Sequence, residues 1–218
     1  MMHFAATIRT ILMMLALTAA LGLAEAGAAP SRQQLIPILG VTVGPNQQPS
    51  GTVANLILSF EERQDRGGLA LHFKQGPGRF SRFAQTAVQQ AILRTAKAAG
   101  LSTDGWTVEL VVPYPGLTVY GDSLSAMVGL SVVALAKGDF VAPGRVMTGT
   151  VKPDGSIAPV GSVPLKVDAA SEAHMHRILV PDMVDVTDSD WHTPFLVQVS
   201  PVGTVTQAYE ALTDHPLR

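Results

Sequence analysis

The feature that most constrains this chain is an uncharged stretch at residues 123–136, built from Leu, Met, Val, Ala, Gly and Ser. It is too long and too rich in Leu, Met and Ala for a strand, so it predicts a helix, and its apolar character on all sides predicts burial. Gly138 supplies a stop signal for that helix. The chain has 218 residues, 47% of them hydrophobic, enough to cover a central helix in one domain.

The segment before this helix predicts strands and one amphipathic helix. Strands are predicted at residues 35–43, 52–60 and 69–73, separated by turn residues, and together they form a β-meander. A helix follows from Phe80 to Ala99, with Phe83 on its buried face, Thr95 interrupting that face and Gly100 ending the helix.

The later elements are shorter. The patterns predict a strand at 106–112, a hairpin pairing 146–151 with 156–160, a helix at 163–174, strands at 177–180 and 195–199, and a helix at 205–212. Strands and helices do not alternate strictly. The predicted fold class is therefore α+β, a β-meander plus a mixed sheet with packed helices.

The N-terminus has the pattern of an export signal. Arg9 precedes an apolar run at 11–23, and Ala24-Glu25-Ala26 places small residues at a cleavage position. The run is shorter than the roughly 18–20 residues that a membrane span needs. We predict a signal peptide at 1–26, a linker at 27–34 and one domain at 35–218, in the periplasm or secreted. An uncleaved membrane anchor is the alternative.

Composition argues against several functions. The chain has 15 basic and 17 acidic residues, which predicts no nucleic-acid partner. It has no cysteine for a thiol nucleophile or a Cys-based zinc site, and no GxxxxGK[ST] loop for ATP. Its histidines lack ligand spacing, so no metal and no cofactor are predicted. An acidic loop is interpreted as solvated; it contains Asp182, Asp185, Asp188 and Asp190.

Ser123 lies in two patterns typical of hydrolases. The first is Gly121-Asp122-Ser123-Leu124, which resembles the nucleophile block of GDSL-type esterases. That family also needs a Gly-x-Asn-Asp block and a late Asp-x-x-His. Neither is present, since Ser189 precedes His192 and Leu212 precedes His215 at the aspartate position. The esterase remains the less favoured alternative.

The second pattern is longer and runs without a gap over residues 121–181. It resembles the core of the Lon peptidase domain, in which a Ser nucleophile opens a buried helix and a Lys follows a Pro-Ile-Gly-Gly segment by a fixed spacing. The corresponding residues here are Ser123, Gly138, Met147-Thr148-Gly149, Gly155, Pro159-Val160-Gly161-Ser162 and Lys166.

The resemblance implies a Ser-Lys dyad. Ser123 would be the nucleophile and Lys166 the general base, which must lose its proton through burial. Thr148 would orient the Lys166 amine, and backbone N–H groups near Asp122 and Ser123 would form the oxyanion hole. The expected substrate is a peptide or protein. Members assemble into rings, so a homo-oligomer is one expectation, without the ATPase module.

Several residues depart from the family pattern. Asp122 replaces a proline, Leu124-Ser125 replaces Ala-Gly, and Ser162 replaces a glycine. The Asp122 carboxylate would favour a charged, inactive Lys166. A catalytically degenerate binding or scaffold module is therefore an alternative. Ser125 is a rival nucleophile by proximity, and Ser123 as a helix cap with Lys166 in solvent is the non-catalytic interpretation.

Overall fold

The computed structural model describes residues 31–44, 46–183 and 192–217. The predicted signal peptide, part of the linker and three aspartates of the acidic loop, Asp185, Asp188 and Asp190, lie outside these residues. None of the helices in the described ranges is long and apolar enough to cross a bilayer.

Eleven strands are found in the described chain. They are β1 (Arg32–Val43), β2 (Pro49–Glu62), β3 (Ala70–Phe73), β4 (Arg79–Phe80), β5 (Trp106–Val111), β6 (Thr118–Val119), β7 (Arg145–Met147), β8 (Thr150–Val151), β9 (Ile157–Ala158), β10 (Arg177–Pro181) and β11 (Gln198–Val202). Four helices accompany them: α1 (Arg82–Ala98), α2 (Ser125–Lys137), α3 (Val163–Glu172) and α4 (Val205–Thr213). The α+β class is confirmed.

The largest sheet has the strand order β1-β2-β5-β3. β1 and β2 form the predicted antiparallel hairpin, with Arg32 opposite Phe60 and Val43 opposite Pro49. The third strand of the predicted meander is wrong in its pairing, because β5 lies between β2 and β3 and runs parallel to β3. The physical reason is α1, which follows β3 and returns the chain in a crossover, the connection that parallel strands require.

The second sheet, β11-β10-β7, is parallel throughout. Val146 and Met147 belong to it and not to the hairpin predicted over 146–160. The hairpin is confined to β8 and β9, where Thr150 is opposite Ala158. The chain changes sheet at Thr148-Gly149, a step that proves to matter for the site. The strand predicted at 195–199 begins later, at Gln198, and Phe195 is exposed.

Helix α1 begins two residues later than predicted, because Phe80 belongs to β4, and it ends just before Gly100, the predicted stop. Ser81 accepts a hydrogen bond from Ala84 N–H at 3.1 Å, and Gly100 has a left-handed φ of 67°. Its buried face differs from the prediction, since Phe83 is 62% exposed and Thr95 is fully buried. Thr95 faces Gly129 of α2, where an added Cβ would lie 2.8 Å from the Thr95 hydroxyl. The two helices therefore approach closely, and a small polar residue fits where a phenylalanine would not.

Helix α2 lies at the centre, as predicted, with the residues from Ser125 to Leu135 all buried. Gly138 ends it in the left-handed conformation, and Arg32 Nη1 donates to the carbonyls of Leu135 and Ala136. The helix begins at Ser125, so Ser123 lies in the turn before it.

Helix α3 is anchored by a second, smaller core. Val163, Val167 and Ala170 are buried against Leu39 of β1 and against strands β7 and β10. Ser162 provides no side-chain cap for this helix, which forgoes about 1 kcal/mol. Each buried valine contributes about 1.5–3 kcal/mol, so packing fixes α3 despite its short length.

Candidate active site

Ser123 is held in a tight turn at the start of α2. Gly121 has a φ of 81°, and Ser125 N–H donates to Asp122 O at 2.8 Å, closing the turn. Ser123 is half-buried, whereas Ser125 is 2% exposed and points into the core. Ser123 is therefore more accessible than Ser125, the rival nucleophile.

Thr148-Gly149, where the chain leaves the parallel sheet, is hydrogen-bonded to that turn. Gly149 N–H donates to Ser123 O at 2.8 Å, and Ala126 N–H donates to Gly149 O at 3.1 Å. Thr148 N–H donates to Leu179 O of β10 at 3.1 Å. The turn that carries Ser123 is thus bonded to the point where the chain leaves the parallel sheet.

Thr148 contacts a different partner from the one predicted. Its buried hydroxyl donates to Ser123 O at 3.3 Å, and among the hydrogen bonds of the described chain none joins it to Lys166. The reason is the neighbouring Gly149–Ser123 hydrogen bond, which brings the Thr148 side chain beneath the Ser123 carbonyl. Thr148 therefore supports the nucleophile turn, and a role in orienting Lys166 stays a prediction.

Two backbone donors remain available beside Ser123. Within the described ranges, no hydrogen bond has the N–H of Ser123 or Leu124 as its donor. Both groups lie in the turn before α2, where the positive end of the helix dipole favours negative charge. They are the candidate donors for the oxyanion hole predicted near Asp122 and Ser123.

Lys166 is buried in α3, with 4% of its surface exposed. Its Nζ donates to Gly161 O at 3.0 Å. Burial lowers the pKa of Lys166 below the usual lysine value of 10.5, and the nearby Asp122 carboxylate opposes this by raising it. Burial is the larger effect, so the amine is easier to deprotonate than a solvent-exposed lysine.

Ser123 and Lys166 line the same cleft, which has a volume of about 320 Å³. The described side chains of the two residues form no hydrogen bond with each other. Catalytic hydrogen bonds are often loose before a substrate binds. The other walls come from β1, β2 and the segment around β6; the lining residues include Ile38, Leu39, Gly40, Val41, Thr42, Thr52, Ala54, Leu117, Thr118, Val119, Tyr120, Leu124, Gly161 and Ser162.

The cleft has no histidine among the described residues that line it, so the arrangement that a GDSL-type esterase needs is not found there.

One histidine does have a carboxylate partner that its sequence spacing concealed. His215 Nδ1 lies 2.6 Å from Asp139 Oδ1, and the buried Tyr209 hydroxyl donates to Asp139 Oδ2 at 2.5 Å. Burial raises the pKa of Asp139, but these two hydrogen bonds outweigh it and lower the value.

Comparison with known proteins shows which sequences this chain resembles. The chain is similar to archaeal Lon proteases from Archaeoglobus fulgidus (29% identical over 136 residues), Thermococcus kodakarensis (30% over 144) and Thermoplasma volcanium (31% over 108). These matches cover 61%, 64% and 49% of the chain. The chain contains a Lon protease-related domain.

The likeness is confined to part of each relative. The matched regions amount to 22%, 22% and 16% of the lengths of those three proteins. No family model matches the sequence. The resemblance inferred from residues 121–181 is nevertheless confirmed at the level of a Lon-related domain.

Sequence reasoning did not find the residues that shape the cleft of this Lon-related domain. The wall from Ile38 to Thr42 lies in β1, and Tyr120 lies three residues before Ser123, but neither belongs to a catalytic motif that would mark it. Gly51 is also missed. A Cβ there would overlap Leu165 O of α3 and lie 2.9 Å from Ala169 Cβ. A glycine within a predicted hairpin, directly before a strand, was the available signal for this close approach.

Ser162 has a backbone conformation that favours glycine, the residue that the Lon pattern has at this position. Its φ is 57°, in the left-handed region that costs a non-glycine residue about 1–2 kcal/mol. We predict that Ser162→Gly raises the free energy of unfolding by about 0.5–1 kcal/mol, because the relieved strain exceeds the added freedom of the unfolded chain. Urea unfolding measures this.

Ser171→Gly is the matched control for that prediction. Ser171 lies in α3 itself, where glycine is unfavourable, so this change should lower the free energy of unfolding by about 0.5 kcal/mol. A loss of stability in both variants would show that Ser162 is not strained.

Proposed function

We propose that this protein is an exported peptidase that hydrolyses peptide bonds with Ser123 and Lys166, without ATP. The observation that carries the proposal is the shared cleft, in which a half-exposed serine and a buried lysine with a lowered pKa face the same space. The relatives named Lon protease support protein or peptide as the substrate class.

The chemistry follows from these two groups. Ser123 Oγ attacks the scissile carbonyl carbon while its proton moves to the neutral Lys166 Nζ. The oxyanion that forms would be stabilised by the N–H groups of Ser123 and Leu124. The C–N bond then breaks as Lys166 returns the proton to the leaving amine. A water molecule, deprotonated by Lys166, hydrolyses the resulting acyl-serine.

Asp122 determines how readily Lys166 can act as a base. The carboxylate stabilises the charged amine, which works against the reaction, and burial acts in the opposite direction. Burial is the stronger influence on the pKa, so we expect an active dyad in which Asp122 reduces the fraction of Lys166 that is neutral.

A second candidate is a binding or scaffold module that has kept the Lon-related domain and lost catalysis. The observation that favours it is the hydrogen bond from Lys166 Nζ to Gly161 O, with Asp122 holding charge on the amine. Leu124 and Ser125 add bulk where the Lon pattern has Ala-Gly. Turnover separates the two candidates, since a scaffold would bind a polypeptide and leave it intact.

Export, freedom from nucleotide and oligomeric state also belong to the proposal. The sequence of residues 1–26 supports a periplasmic or secreted location, and the chain lacks a GxxxxGK[ST] loop. The matched part of each relative is about a fifth of its length. A homo-oligomer is proposed from the ring assembly of Lon peptidases.

The test is casein turnover by the protein purified from an exporting host. We expect fluorescently labelled casein to be degraded in buffer without nucleotide, with no change when ATP and magnesium are added. Ser125→Ala serves as a matched serine control that should retain activity. Intact casein at high protein concentration, with measurable casein binding, would favour the scaffold instead.

A further inference from the structure

A larger cavity adjoins the cleft and has no role in the chemistry described above. Its volume is about 550 Å³. Leu117 and Thr118 line both the cavity and the cleft. The two spaces therefore adjoin along β6, and we call the larger one the side cavity.

The walls of the side cavity are held by backbone hydrogen bonds. Arg79 N–H donates to Leu117 O at 2.9 Å, Gly78 N–H donates to Val112 O at 3.0 Å, and Gly116 N–H donates to Pro77 O at 3.0 Å. A Cβ on Gly78 would lie 2.7 Å from Tyr114 O and 2.8 Å from Leu117 O, so only glycine allows this close approach. The side cavity is thus pre-formed.

The side cavity is positively charged. Lys74 and Arg79 line it, and no carboxylate is among its described lining residues. Lys74 is already paired, with its Nζ 3.0 Å from Glu109 Oε2. Arg79 forms no ion pair within the described ranges. Arg79 is exposed, and its Nε donates to Thr118 Oγ1 at 3.1 Å, which holds the guanidinium against a residue that lines both the cavity and the cleft.

This arrangement leaves the terminal nitrogens of Arg79 able to bind an anion. A guanidinium binds a carboxylate with two parallel hydrogen bonds, a geometry that an amide or an ammonium does not reproduce. The occupant that fits is the side chain of Asp or Glu in an extended polypeptide, because the cavity adjoins the cleft along β6.

We propose that Arg79 makes this protein select polypeptides with an acidic residue at a fixed position near the scissile bond. The position relative to a cut bond rests on the proposed function, whereas the binding preference for an acidic side chain does not require catalysis. Asp or Glu enters the side cavity and pairs with Arg79, while the flanking backbone lies in the cleft beside Ser123.

The first test measures binding alone, using the Ser123→Ala protein and fluorescence anisotropy. The probes are two short labelled peptides of one sequence, with Asp in one replaced by Asn in the other. We expect the Asp peptide to bind about tenfold more tightly, an advantage lost in Arg79→Gln and partly kept in Arg79→Lys. Arg66→Gln removes the same charge from an exposed turn and should leave the ratio unchanged. Equal binding of both peptides, or a ratio unaffected by Arg79→Gln, overturns the inference.

The second test uses cleavage by the active protein. A peptide library is digested, and the cleaved sequences are read by mass spectrometry. We expect acidic residues to be enriched at one position relative to the cut, with the enrichment lost in Arg79→Gln and reversed towards Lys and Arg in Arg79→Glu. Cleavage without acidic enrichment contradicts the inference. If nothing is cleaved but the Asp peptide still binds preferentially through Arg79, the proposed function fails and the binding inference stands.

Discussion

Replacing Lys166 by methionine is expected to lower peptide turnover by a factor of about 10² to 10⁴, the contribution of a positioned general base. Methionine fills a similar volume but cannot accept the proton of Ser123. Ser123→Ala should lose at least as much, and the double variant should lose no more than Ser123→Ala alone, because the two residues act as a unit. Initial rates on labelled casein measure all three.

Stability separates lost chemistry from lost structure in these variants. Lys166 is a buried amine without an ion-pair partner in the described chain, so an apolar replacement should leave the melting temperature unchanged or raise it. Lys152→Met changes an exposed lysine on the β8–β9 hairpin and should keep full turnover. Casein turnover that survives both Ser123→Ala and Lys166→Met would rule out the dyad.

The same lysine predicts the pH dependence. In the proposed mechanism the neutral amine is the base, so turnover should rise with pH through the pKa of Lys166, which burial lowers from 10.5. Asp122 raises that pKa, so Asp122→Asn should move the midpoint of the turnover profile to lower pH.

The pKa of Lys166 also links stability to pH, because the unfolded chain holds this proton more tightly than the folded chain. Lys166 therefore makes folding more favourable as pH rises from the lowered pKa towards 10.5, and Lys166→Met should remove that trend.

Replacing Gly51 by alanine is expected to lower the free energy of unfolding by about 1–3 kcal/mol, as overpacking does. The added methyl would occupy the space of Leu165 O and press on Ala169, both in α3. The helix must move, and Lys166 moves with it. A displacement of about 1 Å in a catalytic group reduces turnover about a hundredfold, so kcat should fall even where the protein stays folded.

Gly67→Ala is the matched control, because its Cβ would meet Asp65 Oδ1 at an ordinary 3.4 Å in the turn after β2. Chemical denaturation and casein turnover are measured for both variants. Equal stability and equal turnover of Gly51→Ala and Gly67→Ala would show that the contact between Gly51 and α3 does not position Lys166.

The segments that carry Ser123 and Lys166 were predictable because each has a strong local pattern. The apolar run predicted the buried helix α2, Gly138 its end, and the spacing from Pro159 located Lys166. Local patterns failed where the partner is distant in sequence. Phe83 is exposed and Thr95 buried because α2 approaches that face of α1 through Gly129, a contact that periodicity within α1 does not encode.

Pairing between distant strands was also outside the reach of the sequence. The insertion of β5 between β2 and β3 depends on how α1 returns the chain, and the hydrogen bond from Thr148 to Ser123 O depends on where β7 leaves its sheet. Arg79 gave no signal at all, because a lone arginine among Gly and Pro residues is indistinguishable from a solvated charge until its cavity is seen.

The burial of Lys166 has a consequence for the timing of reactivity. Burial lowers the pKa of the amine, and one side of its surroundings is the open cleft. A polypeptide that covers the cleft excludes the remaining water and lowers the pKa further. In the proposed mechanism the occupied protein is more reactive than the empty one, so substrate binding itself limits attack to the polypeptide that is bound.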